Sequence, residues 1–98
     1  MAEIRFEWNP RKSAANQRKH GVSFQEASTV FTDEHALLID DPEHSDHEDR
    51  FVLLGLSYSL RILVVCHCYR HSDEVVRIIS ARKATPKERE FYNRRWSV

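Results

Sequence analysis

The run Leu60-Arg61-Ile62-Leu63-Val64-Val65-Cys66-His67-Cys68-Tyr69 constrains the fold more than any other part of the chain. Apolar and β-branched side chains occupy both parities of it, so a strand made from it must be covered on both faces. It reads as the central strand of a sheet. Arg50 to Ser57 precedes it across a tight turn at Tyr58-Ser59, and Glu74 to Ser80 follows it across a turn at Arg70 to Asp73. Ala36 to Asp40 adds one more strand upstream. Strands following one another in this way predict an antiparallel sheet.

Helices flank that run. Ile4 to Trp8 alternates as a short strand, and Asn9-Pro10 then supplies an N-cap and a proline at the first helical position. The helix predicted from there reaches about His20, with Gly21 suited to its C-terminal cap. Ser23-Phe24-Gln25-Glu26 has the form of a capping box, which predicts a second helix from Phe24 to Phe31. Phe24, Ala27, Val30 and Phe31 form its buried stripe. Thr85-Pro86-Lys87-Glu88 repeats the cap and opens a last helix carrying Arg89, Phe91, Tyr92 and Trp96. The order is β-α-α-β-β-β-β-α, an α+β domain spanning residues 1–98. The first two helices should lie on one face of the sheet, and the other face should be partly open to a site.

The 98 residues allow one core, and 41% hydrophobic content is that of a folded chain. No apolar run approaches the roughly 20 residues of a membrane span, and Met1 to Arg5 lacks the pattern of a signal peptide. A cytoplasmic location is expected. Fifteen Lys and Arg balance fifteen Asp and Glu, yet the charges are segregated. Residues 1–20 hold five basic and two acidic side chains, 21–49 hold nine acidic and no basic ones, and 50–98 hold ten basic and four acidic ones. Such blocks suit a polyanion site and a separate partner-facing surface. Residues 1–20 and 50–98 should therefore meet in one basic face, with 33–49 lying away from it.

Asp40 to Asp49 holds six carboxylates and two histidines, but no helix fixes them at ligand spacing. It reads as a solvated or partner-docking connection rather than a metal site. Cys66 and Cys68 share a strand face, where a disulfide between them would be strained, so free thiols are expected ahead of a redox pair. Parity places His67 opposite both thiols. Phosphate-loop, dinucleotide, zinc-protease and serine-hydrolase motifs are missing, and two glycines cannot build a phosphate cradle. Metal-free chemistry by Arg, Lys, His, Tyr and Glu, or pure binding, is what remains; no cofactor is expected.

Arg77 interrupts an apolar strand, where parity groups it with Val75 and Ile79 against Val76, Ile78 and Ser80. It pairs with a core carboxylate, lines a concave site, or lies on an open face. Arg82 and Lys83 fall in the link before the last helix. There a helix N-terminus and two cations form either a phosphate-friendly corner or a solvated basic turn. Arg89 follows on that helix. His20 ends the first helix, whose C-terminus favours positive charge. It is a candidate proton donor or phosphate partner, or a plain helix-ending histidine.

Three groups of residues, in order along nearly the whole chain, resemble the BrnT toxins. The first is Phe6-Glu7-Trp8-Asn9-Pro10 with Lys12, Asn16, Lys19-His20-Gly21-Val22-Ser23-Phe24 and Glu26-Ala27. The second is Asp40-Asp41-Pro42 with Glu48, Arg50 and a Leu-Leu-Gly strand. The third is Arg77-Ile78-Ile79-Ser80-Ala81-Arg82-Lys83-Ala84 with Glu88-Arg89 and Tyr92. The resemblance implies a RelE-like fold and a type II toxin–antitoxin ribonuclease that arrests translation without a metal. It also implies a BrnA-like ribbon-helix-helix antitoxin, through which alone the toxin would meet operator DNA.

On that reading an RNA 2′-OH attacks the adjacent phosphate. Arg77 and Arg82 stabilise the phosphoryl charge with Lys83 assisting, and His20 moves a proton. Lys19, Arg50 and Arg89 hold the RNA backbone. Glu88 and Tyr92, four apart on a helix, orient the cations. The alternative is a non-catalytic module that binds an antitoxin-like partner through the acidic 21–49 block. A DNA reader is disfavoured, because the second helix bears no Lys or Arg.

Overall fold

Local caps start the helices where the sequence places them. In the computed structural model, which describes residues 4–40, 50–71 and 74–94, the Asn9 side chain accepts from the Arg11 and Lys12 amides. Helix α1 then runs Pro10–His20, and Gly21 closes it at φ 71°, its N–H donating to Gln17 O. Ser23 caps α2, Phe24–Thr29, by accepting from the Glu26 amide. The expected helix to Phe31 is shorter, because its last turn tightens to a 3₁₀ turn over Val30–Thr32. The reciprocal half of the box is not made. Glu26 turns inward, where its carboxylate takes Arg61 and the Ser57 hydroxyl.

The strands are β1 Arg5–Glu7, β2 Leu37–Asp40, β3 Phe51–Leu56, β4 Ile62–Arg70 and β5 Val75–Lys83, followed by helix α3, Pro86–Asn93. They form one sheet in the order β1-β5-β4-β3-β2, with the apolar strand β4 at its centre. The pairs β2–β3, β3–β4 and β4–β5 are antiparallel, but β1 lies parallel to β5. The sheet is therefore mixed rather than wholly antiparallel. No hairpin ties β1 to its neighbour; the chain leaves β1 through two helices, so β1 docks on the free edge of a strand remote in sequence.

Helices α1 and α2 cover one face. Val22, Phe24, Ala27 and Val30 pack there against Leu53, Leu63, Val65, Val76, Ile78 and Ala81. Gly55 lets this layer close, since a Cβ there would meet Val30 Cγ1 at 2.7 Å and the Ala36 Cβ at 2.9 Å. His67 belongs to this core. It is fully buried, its ring 4.7 Å from that of Phe31, its Nδ1 3.3 Å from Val65 O and its Nε2 3.3 Å from the Tyr69 hydroxyl. Burial pushes its pKa down.

Helix α3 covers part of the opposite face, where Tyr92 packs with Leu54, Val64 and Ala84. Beyond Glu7 no strand among the described residues lies beside the edge of β5. Asn16 of α1 takes that place: its Nδ2 donates to Ala81 O at 2.8 Å, and its Oδ1 accepts from the Ala81 amide at 3.2 Å. Nδ2 also donates to Val22 O at 2.8 Å. One buried side chain thus satisfies a strand edge and fixes α1 against β5.

Candidate nucleic-acid interface

Strand β5 carries one residue more than its ladder with β4 requires. Cys66 faces Ser80 and His67 faces Ile78, which leaves Ile79 as a bulge. A bulge inverts the alternation of side chains beyond it. Val76, Ile78 and Ala81 consequently all face the α1/α2 core. Arg77 and Arg82, an odd number of residues apart, come to share the other face with Ser80. This corrects the regular-strand parity that set Arg77 against Ser80.

The strand also runs on through Lys83, so Arg82 and Lys83 lie on it and not in a link. Successive strand residues point to opposite faces, and the two cations separate. Lys83 pairs in register with Leu63 and lies on the helix-covered side, close enough to help lower the pKa of Glu26. Only Arg82 faces α3.

An open hollow of about 480 Å³ lies on that face, beside the foot of α3. His20, Arg50, Arg82 and Glu88 line it, above a floor that includes Val52, Val64, Cys66 and Ser80. Arg82 forks onto Glu88, Nη1 to Oε1 at 2.8 Å and Nη2 to Oε2 at 3.0 Å. The same carboxylate accepts from the Thr85 amide at 2.8 Å and completes the capping box of α3, with the Thr85 hydroxyl accepting from the Glu88 amide at 3.2 Å. Held first by Arg82 and then by Thr85, against the opposing cost of burial, Glu88 has its pKa pulled down to about 2. The Arg82 guanidinium is correspondingly stabilised as the cation.

Arg50 enters the hollow from the start of β3, and its buried Nε has no hydrogen-bond partner among the described residues. His20 arrives at the end of α1, one turn beyond the Asn16 anchor. A residue of the 1–20 block and residues of the 50–98 block thus meet as the charge pattern predicts. Ile39 lines the hollow too, so the 33–49 segment does not lie wholly away from it. Residues 41–49, and with them most of the acidic connection, lie outside the described residues.

The other candidates are placed differently. Arg77 shares the face but not the hollow; it donates to Glu7 Oε1 at 3.2 Å, as Arg70 does at 3.2 Å. These bonds, Arg70 first, hold the Glu7 carboxyl below its ordinary range. Lys19 is exposed at the end of α1. Arg89 is exposed on α3 and donates to Ala84 O at 3.0 Å. Tyr92, expected beside Glu88, is buried and gives its hydroxyl to Asp33 Oδ2 at 2.6 Å, anchoring α3 on the sheet. Cys66 and Ser80 also line the hollow, and the Ile79 bulge that puts Ser80 on the face of Arg77 and Arg82 has no sequence mark. Neither cysteine is in a disulfide, and among the described residues no three His, Cys, Asp or Glu side chains gather as a ligand set.

A model of the family described as "Ribonuclease toxin, BrnT, of type II toxin-antitoxin system" matches residues 8–88. Among curated proteins none matches the chain. The 1.1 Å crystal structure of the Brucella abortus ribonuclease toxin BrnT superposes with a TM-score of 0.61 at 22% identity, covering 85% of this chain and 99% of that one. At that identity the superposition speaks for the fold alone, and the α+β architecture is shared. Since the family match spans residues 8–88, from the cap of α1 to the Arg82–Glu88 corner, the chain belongs to the BrnT family of type II toxin–antitoxin ribonuclease toxins.

Proposed function

We propose that the chain is an endoribonuclease that cuts RNA by attack of a 2′-OH on the adjacent phosphate, without a metal ion. Arresting translation in the cytoplasm would be its effect, and a BrnA-like ribbon-helix-helix antitoxin its neutralising partner. The observation that carries this reading is the meeting of Arg50, Arg82 and His20 in one hollow.

The reaction needs positive charge at the phosphoryl oxygens and two proton transfers, one from the attacking 2′-OH and one to the leaving 5′-oxygen. Arg82 supplies the charge. Its fork onto Glu88 and a bond to Lys83 O at 3.3 Å leave its Nε–H and one Nη2–H for phosphate. Arg50 lines the hollow with Arg82, its Nε–H without a partner among the described residues. His20, at the rim of the same hollow, is the group assigned to move a proton. Arg77, farther along the same face, extends the track for the RNA backbone. Among the described residues no helix is long and apolar enough to cross a membrane.

Cleavage of a defined RNA in EDTA tests the reading. The unaltered protein should cut. Arg82→Ala should lower the rate about 10²-fold or more, and His20→Ala should lower it by about 10²-fold. Arg77→Ala should raise KM more than it lowers kcat. Wild-type rates from both R82A and H20A would overturn the assignment, and no cleavage by the folded wild type would leave the antitoxin-binding module as the function.

A further inference from the structure

A second hollow of about 480 Å³ opens beside the first, between α3 and the sheet. The two share Ile39, Val52, Val64 and Glu88, so they are one trough with a basic half and an apolar half. Leu54 and Phe91 complete the apolar half. Phe91 is the notable member: the residue is 53% exposed on a helix whose other aromatic, Tyr92, is buried in the core. A volume of this size is that of a small-molecule site rather than of a long protein groove.

Resting on the ribonuclease reading, we infer that the apolar half is a nucleobase pocket, in which Phe91 stacks a base of the RNA whose phosphate lies at Arg82 and Arg50. Single-stranded RNA presents phosphates and flat rings in alternation, and sites for it pair a cationic track with an aromatic platform. Here Glu88 marks the join: its carboxylate holds Arg82 on one side and borders the apolar hollow on the other. The polar rim suits the edge of a base. Lys87 can donate to ring carbonyls, and Glu90, bound to Arg94 at 2.8 Å, has acceptor capacity for exocyclic amines. A partner protein is the other conceivable occupant, but nothing in an apolar peptide side chain would account for the adjoining phosphate-binding half.

The pocket is tested with four 2′-O-methyl hexanucleotides, one for each base, which bind but lack the attacking hydroxyl. Loss of one base–aromatic stack should weaken binding about tenfold. F91A and F91L should therefore each raise the Kd of the best-bound hexamer about tenfold, whereas F91W should retain it and show quenched fluorescence on binding relative to the unaltered protein. F91L binding like wild type would overturn the inference, since an aliphatic side chain cannot stack. Wild-type binding by F91A, with R82A weakened, would also overturn it, leaving the basic half intact and the apolar half to a protein partner. Wild-type binding and cleavage by R82A would instead defeat the underlying reading, so the two failures are distinguishable.

Discussion

Glu88 joins a helix cap to the proposed site through one carboxylate, which caps α3 at Thr85 and forks onto Arg82. The sequence shows the first role, because a Thr-Pro-x-Glu string is local; the second depends on a strand face inverted by the Ile79 bulge. Glu88→Gln separates the roles. Glutamine still serves a capping box, but it cannot hold a guanidinium by charge. The expected outcome is a fall in kcat of about tenfold, the worth of one charge-assisted bond, with a melting temperature at pH 7 that falls by the lost charge but by less than in Glu88→Ala, which loses the cap as well. Thermal melts and saturating cleavage kinetics check it.

Glu88 also sets a pH limit. With its folded pKa near 2 against a usual 4.5, its contribution is complete above about pH 4.5 and is lost as pH falls toward 2. His67 acts in a higher window. Burial lowers its folded pKa below the usual 6.5, so the unfolded chain takes up the proton first as pH falls. Stability should therefore decline from about pH 6.5 downward, before the carboxylates titrate. His67→Phe, which keeps a ring beside Phe31, should flatten the melting temperature between pH 7 and 5; an unchanged slope would assign it to other groups.

At the scale of elements, caps and periodicity were legible and long-range partners were not. Asn9-Pro10, Gly21 and Thr85-Pro86 fix helix ends by contacts a few residues apart. Glu26 looked like a capping partner because its real partner, Arg61, is 35 residues away. The apolar pattern of β4 placed it centrally, yet nothing in an ordinary β-branched Ile79 marks a bulge. Asn16 shows the same gap: a polar residue in a helix gives no sign that it will complete a strand edge. Asn16→Ala would leave the Ala81 N–H and C=O without partners in a buried setting. A loss of about 2–4 kcal/mol in denaturant unfolding is expected, and because His20 is positioned through the same helix, residual cleavage should fall as well. A loss below about 0.5 kcal/mol would mean that water replaces the amide.

For the whole molecule, a net charge of +0 conceals a division of labour. The helix-covered face of the sheet holds the main core, together with the buried His67 and the Glu26–Arg61 pair. The opposite face gathers Arg77 and Arg82 on β5 and Arg70 on β4, with Arg50 just before β3 and His20 at the end of α1. Sequence blocks indicated that basic residues from both ends would meet, and they do; they could not show which cations share a face, since Arg82 and Lys83 are neighbours in sequence and opposed in space. On the proposed reading, guanidinium groups and an imidazole act on an RNA that supplies its own nucleophile. The measurement that tests this most directly is the chemistry of the new ends after cleavage of a defined RNA in EDTA. Attack by the 2′-OH predicts a 2′,3′-cyclic phosphate on one fragment and a 5′-hydroxyl on the other; a 3′-hydroxyl with a 5′-phosphate, or cleavage only after a divalent metal is restored, would contradict it.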